Sequence, residues 1–115
     1  MFLSGIQDTM NTQCIVILVT TKDKKEAQKI ARALLEEKLI ACANIISGVD
    51  SMFWWQGKID SSKEVLLVLK SKKNNFNKIS IAVKKSHSYQ TPEIIALPII
   101  NGSEDYLKWI NSSLK

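Results

Sequence analysis

Cys42 and His87 are the side chains best suited to coordination or nucleophilic chemistry, and His87 is the one imidazole in the sequence. His87 sits in Ser86-His87-Ser88-Tyr89-Gln90-Thr91-Pro92-Glu93, a polar stretch between a helical pattern and an apolar run, where exposure is expected. Cys42 stands among small and apolar neighbours, where a packed core thiol is the plain alternative to a ligand. No CxxC or HxH spacing and no second histidine accompany them, so no tetrahedral zinc set can be read. One thiolate and one imidazole make a partial copper or zinc site, completed by a carboxylate or water. Glu93 is the acid nearest His87 in sequence. Pro92 holds Thr91 extended, so Tyr89, Thr91 and Pro92 either bound a ligand cleft at a subunit junction or form a rigid connector. Phosphate-binding GxxxxGK and GxGxxG loops are absent, and no serine has a nucleophile-elbow context. A Cys42–His87 nucleophilic pair is allowed by arithmetic alone. The sequence therefore points away from an enzyme.

The elements that must position these residues follow from periodicity. Cys14 to Thr20 is a β-branched apolar run with the character of an interior strand. Asp23 and Glu26 have capping-box spacing, and Ala27, Ile30, Ala31, Leu34 and Leu35 mark one stripe of a helix ending near Lys38. A second strand begins at Leu39, bends or bulges at Gly48 and continues to Trp55. Gln56-Gly57-Lys58 reverses the chain, and a third strand runs from about Ile59 to Lys70. Asn75 is expected to cap a second helix carrying Phe76, Ile79, Ala82 and Val83. Glu93 to Ile100 reads as a fourth strand in which Pro98 marks an edge or a break. Ser103 opens a last helix with apolar Tyr106, Trp109 and Ile110.

The order is β-α-β-β-α-β plus a helix, which gives an antiparallel sheet with helices on one face. Its other face then lacks a covering layer. Met52-Phe53-Trp54-Trp55 adds to that shortage of cover, because alternation sends Phe53 and Trp55 to one side and Met52 and Trp54 to the other. Self-association through these aromatics is expected.

At 115 residues, 45% hydrophobic and 23% charged, the chain fits one folded domain over residues 13–115 behind a flexible leader at residues 1–12. Met10 offers an alternative start within that leader. Two cysteines are too few for a disulfide scaffold; they allow a single bridge, with a reducing compartment as the simpler reading. The apolar runs are strand-length, short of a membrane span. Net charge is +5, yet Arg32 is the one arginine, and the tryptophans are not interleaved with the lysines. Bidentate phosphate or base recognition and a stacking platform are thus both missing, and the lysines read as solvated faces rather than a nucleic-acid surface.

Taken in order, Ala41-Cys42-Ala43-Asn44, Ser51-Met52-Phe53-Trp54-Trp55-Gln56-Gly57-Lys58, His87, Tyr89, Pro92-Glu93-Ile94-Ile95 and Tyr106-Leu107-Lys108-Trp109-Ile110 resemble the CutA divalent-cation tolerance family, from Cys14 to Ile110. The resemblance implies an α+β, ferredoxin-like βαββαβ domain with an extended β2–β3 hairpin and a C-terminal helix, assembled as a PII-like homotrimer. It implies a cytoplasmic, non-enzymatic protein with no permanently bound cofactor, binding copper or other divalent metal ions, with neither nucleic acid nor membrane as partner. Cys42 matches the cysteine of the family's ACxN motif and His87 the histidine of its HPY motif, which makes them the candidate copper contacts, with Glu93 as a third. Met52, Phe53, Trp54, Trp55 and Trp109 are the expected trimer interface. The alternatives are a PII-like small-molecule or protein-binding signalling module, or a purely structural trimer. Three residues depart from the family: Ser88 replaces a proline, which should loosen the loop, Gln90 replaces a common acid, and Phe53 replaces a tyrosine.

Overall fold

Alternation along the first strand, β1 (Cys14–Thr21), decides the layering: Ile15, Ile17, Val19 and Thr21 are buried on one side. The computed structural model describes residues 13–115, so the expected leader and Met10 lie outside the described residues. β1 pairs antiparallel with β3 (Lys58–Lys72), placing Ile17 opposite Leu69, Val19 opposite Leu67 and Thr21 opposite Val65. β2 (Cys42–Trp55) and β4 (Ile94–Pro98) complete an antiparallel sheet of order β2-β3-β1-β4. Helices α1 (Lys24–Glu36) and α2 (Phe76–Ser86) cover the face that bears these buried residues. Ala27, Ile30, Ala31 and Leu34 of α1 and Ile79 and Val83 of α2 close the core. Full burial of each Leu or Ile contributes about 1.5–3 kcal/mol. Leu35, expected on the buried stripe, is exposed in an open groove of about 510 Å³ with Arg32 and Ile45.

The two ends of α1 show why it spans these residues. Asp23 caps it, its Oδ1 accepting from Glu26 N at 2.8 Å. At the other end Lys38 takes a positive φ of 56°, while Lys38 N donates to Leu35 O and Leu39 N to Leu34 O. This is a Schellman closure, with a lysine where glycine is the usual residue. It drops Leu39 and Ile40 into the core before β2 begins, so the strand starts at Cys42 rather than at Leu39. Asn75 also departs from expectation. A 3₁₀ turn, Lys73–Asn75, precedes α2, and the Asn75 side chain does not cap the helix. It donates instead to Leu39 O at 3.2 Å beside Ser71, tying down the α1–β2 connection.

β2 and β3 extend past the sheet as a two-stranded arm, which makes the chain 54 Å long but only 29 Å and 23 Å across. The arm turns at Gln56 and Gly57, both with positive φ, between the paired Trp55 and Lys58. Such two-residue turns match the right-handed twist of the strands. At Ser47-Gly48, with Gly48 at φ 77°, β2 carries one extra residue relative to β3. One inserted residue exchanges the faces of everything beyond it. Phe53 and Trp55 therefore continue the row of Ile46 and Leu66 on the face away from the helices, and Met52 and Trp54 take the opposite side.

The face away from the helices carries Val16, Leu18, Leu66, Val68, Ile95 and Leu97 by register. The last helix, α3 (Glu104–Ser113), reaches β1 and β3 from this side and covers only one end of it. Ser103 caps α3 through Tyr106 N. Ile110 is fully buried, whereas Tyr106 and Trp109 remain exposed. β4 is a short edge strand that stops at Pro98, as a residue without an N–H should make it. Among the described residues no helix is long and apolar enough to cross a membrane.

Candidate functional site

α2 ends at Ser86, and His87 takes an extended backbone that turns its ring under the loop. Contrary to the exposure expected from sequence, the imidazole side chain is 0% exposed. His87 Nε2 lies 2.7 Å from Thr20 O, and Tyr89 N donates to Nδ1 at 3.0 Å. A carbonyl can only accept and a backbone amide can only donate. The ring is therefore the Nε2–H tautomer, with the Nδ1 lone pair taken by Tyr89. The Tyr89 ring leans on the imidazole at a centroid distance of 4.7 Å.

Two buried carboxylates hold this loop, and the sequence reading assigned neither to the site. Glu26, 8% exposed, accepts from Lys22 N at 3.1 Å through Oε1 and from Ser88 N at 2.8 Å through Oε2. Glu64, 8% exposed on β3, accepts from Tyr89 Oη at 2.8 Å. Ser88 has the N–H that the family's proline lacks. The departure expected to loosen the loop thus adds a bond that restrains it. Capping-box spacing pointed to Glu26, but only as a local helix-end residue. Instead of bonding the Asp23 amide, it crosses to the α2–β4 loop. Glu64 is among the residues that carry the family resemblance, but its role is not legible in the sequence, because its contact spans 25 residues and depends on the fold.

The electrostatics follow these contacts. Burial raises the Glu26 pKa, but hydrogen bonds from Ser88 and Lys22 outweigh it and leave the carboxyl below its ordinary value. Burial and the Glu64 carboxylate together push the Tyr89 phenol up to about 12. Glu26 Oε1 lies 4.0 Å from His87 Nδ1. That approach is not an ion pair, because Nδ1 accepts a hydrogen bond and carries no proton.

Cys42 occupies a different neighbourhood. Half-buried at the start of β2, its Sγ lies 3.7 Å from Tyr106 Oη on α3, and that contact is the largest cause of a raised Tyr106 pKa. Cys42 pairs with Lys70, which pairs with Val16, four residues along β1 from the Thr20 carbonyl that holds His87. Cys42 is thus about 13 Å along the sheet and about 10 Å across it from the Thr20 backbone that holds His87. The fold brings His87 to Glu26, Thr20 and Tyr89 but does not bring it to Cys42 within one chain. Glu93 is exposed just before β4, Thr91 is exposed, and Pro92 and Tyr89 are half-buried. Among the described residues, no three His, Cys, Asp or Glu side chains cluster as a metal cage. Cys14, the other thiol, accepts from Asn111 Nδ2 at 3.6 Å.

Residues 15–113 match the model of the CutA1 divalent ion tolerance protein family. The divalent-cation tolerance protein CutA of Escherichia coli strain K12 / DH10B is 39% identical over 109 residues, covering 95% of this chain and 97% of that protein. The divalent cation tolerance protein of Thermus thermophilus superposes with a TM-score of 0.87 at 40% identity, covering 89% of this chain and 99% of that one. CutA1 from Oryza sativa gives the same TM-score at 38% identity, covering 90% of this chain and 97% of that one. Sequence and fold agree across the domain, arm and terminal helix included. The chain belongs to the CutA1 divalent ion tolerance family.

Proposed function

We propose that this chain is a non-enzymatic, homotrimeric protein of divalent cation tolerance that binds copper or another divalent ion in the cytoplasm. The observation that carries the reading is the family match over residues 15–113, within which Cys42 offers a partly accessible soft donor. Thiolates suit copper and zinc, and the Tyr106 phenol at 3.7 Å adds an oxygen beside the sulfur. His87 and Glu93 are the other candidate contacts; His87 needs a ring nitrogen freed before it can serve. The thiols of Cys14 and Cys42 approach different partners rather than each other, which suits a reducing compartment.

Trimer formation is supported by the apolar face away from the helices and by the arm. Met52, Trp54 and Trp55 are 76%, 74% and 57% exposed in the single chain, and Phe53 and Trp109 are exposed as well. Large apolar side chains exposed on both faces of the arm mark an interaction surface. Titrating metal-free protein with copper under intact-assembly mass spectrometry tests both halves of the proposal. The expected result is a mass of three chains with bound copper that weakens in Cys42→Ser and in His87→Ala, each measured alone. Unchanged binding in both variants would remove these residues from the site, and a stable monomer would remove the trimer.

The engaged nitrogens of His87 favour a second reading, a signalling module whose cleft near Tyr89, Thr91 and Pro92 takes a small molecule or protein without metal. A metabolite that binds the metal-free assembly and protects residues 86–93 from hydrogen exchange supports it. A purely structural trimer would give no saturable ligand at all.

A further inference from the structure

We infer that His87 and Glu26 form a latent divalent-metal site, closed by the Tyr89 amide and latched by the Tyr89–Glu64 hydrogen bond. The inference rests on the metal-binding reading above and gives His87 a protein partner other than Cys42. Its first support is the tautomer. Metal-binding histidines commonly donate their second ring N–H to a backbone carbonyl, which fixes the ring and directs the other nitrogen at the ion. Nε2–H of His87 already points at Thr20 O, at 2.7 Å. Nδ1 is thus the ligand atom, and what occupies it is the Tyr89 N–H at 3.0 Å.

The second support is the nearest carboxylate. Glu26 Oε1 stands 4.0 Å from Nδ1. Zinc bonds to nitrogen and oxygen at about 2.0–2.2 Å, so donors sharing one tetrahedral ion are about 3.4 Å apart. A small side-chain rotation closes that difference. Oε1 accepts one bond, from Lys22 N, and a carboxylate oxygen retains a further lone pair. Two protein donors with water completing the shell make a site of modest affinity.

The third support is how little must move. Freeing Nδ1 requires withdrawal of Tyr89 N, and the phenol bonded to Glu64 Oε2 at 2.8 Å holds that residue in place. Glu26 Oε2 keeps its bond to Ser88 N at 2.8 Å, so the loop stays anchored one residue earlier. Ser88–Tyr89 is therefore the hinge. α2 and β4 need not shift.

Because His87 is the single histidine of the chain, its carbethoxylation by diethyl pyrocarbonate reports the site directly. In the full-length protein, Tyr89→Phe should raise the His87 modification rate about tenfold, the loss expected for one hydrogen bond to a charged acceptor. Zinc(II) alone should then slow the reaction, and adding Glu26→Gln should abolish that protection while the faster intrinsic rate persists. In the unmodified chain, zinc should accelerate hydrogen exchange of the Tyr89 amide, because the ion takes the lone pair that amide uses. This arm does not depend on any variant folding. Equal modification rates with and without Tyr89→Phe would overturn the latch. Protection that survives Glu26→Gln, or bound zinc with unchanged Tyr89 exchange, would overturn the His87–Glu26 pair and leave the proposed metal-binding function standing. Failure of the assembly to bind zinc or copper at all would overturn both.

Discussion

Glu26→Gln separates the role of the Glu26 charge from that of its shape. The carboxylate accepts two backbone N–H groups, Lys22 at 3.1 Å and Ser88 at 2.8 Å, from a position 8% exposed. Glutamine retains one carbonyl oxygen and presents an NH₂ where the second acceptor stood, so one amide loses its partner. Bonds to charged acceptors are worth about 1.5–3 kcal/mol and neutral ones about 0.5–1.5 kcal/mol. One bond is lost and the other is weakened, while water reaching the loop offsets about 1 kcal/mol. The expected destabilisation is about 2–3 kcal/mol at pH 7, measured by urea unfolding followed by circular dichroism at a fixed protein concentration. Its pH dependence has a definite sign. The Glu26 pKa is lowered in the folded chain, so the unfolded chain takes up the proton first as acid is added. The stabilisation is complete above the unfolded value of about 4.3 and is lost as pH falls through the lower folded value. The gap between wild type and Glu26→Gln should therefore begin to narrow below about pH 4.3 and close as pH falls through the lower folded value. A variant as stable as wild type at pH 7, or a gap that does not narrow in acid, would refute the assignment of Glu26 as a charged clamp.

Lys38 holds a φ of 56° at the end of α1, a conformation that costs a β-carbon-bearing residue about 1–2 kcal/mol. Lys38→Gly should raise stability by about 0.5–1 kcal/mol after the entropy of glycine is counted, and a loss in urea unfolding would contradict the Schellman assignment. Tyr89, pushed up to about 12, should ionise late in an ultraviolet titration. Because its folded pKa is raised, its contribution is present below about pH 10 and lost as pH rises through about 12. Tyr89→Phe should remove that alkaline step, and a titration unchanged by the substitution would dissociate Tyr89 from it. Sedimentation of wild type at micromolar concentration should give about three times the 13.0 kDa chain mass. If neighbouring subunits bury the Trp55 ring, Trp55→Ala should cost about 3–5 kcal/mol of assembly stability, and a cost near zero would place the ring in solvent.

What the sequence disclosed and what it withheld divide by contact range. Strand and helix periods, the Gly48 bulge, the Gln56-Gly57 reversal and the Pro98 edge are local, and all of them stand in the fold. Asn75 has the right residue type for a cap, yet Leu39 O lies within its reach and wins the amide. His87 misled for the same reason: a polar loop predicts exposure, but Thr20 O, 67 residues away, draws the ring inside. The resemblance named Cys42 and His87 because motif positions can be matched one by one. It could not pair them, since their spacing follows from register across three strands. Ser88 makes the point most sharply. Losing a proline reads as lost restraint when only backbone freedom is counted. The gained N–H meets a buried carboxylate contributed by another helix, and one bond at 2.8 Å reverses the sign of that expectation. The Glu26 carboxylate, rather than rigidity of the loop residues themselves, therefore anchors the chain beside the His87 ring.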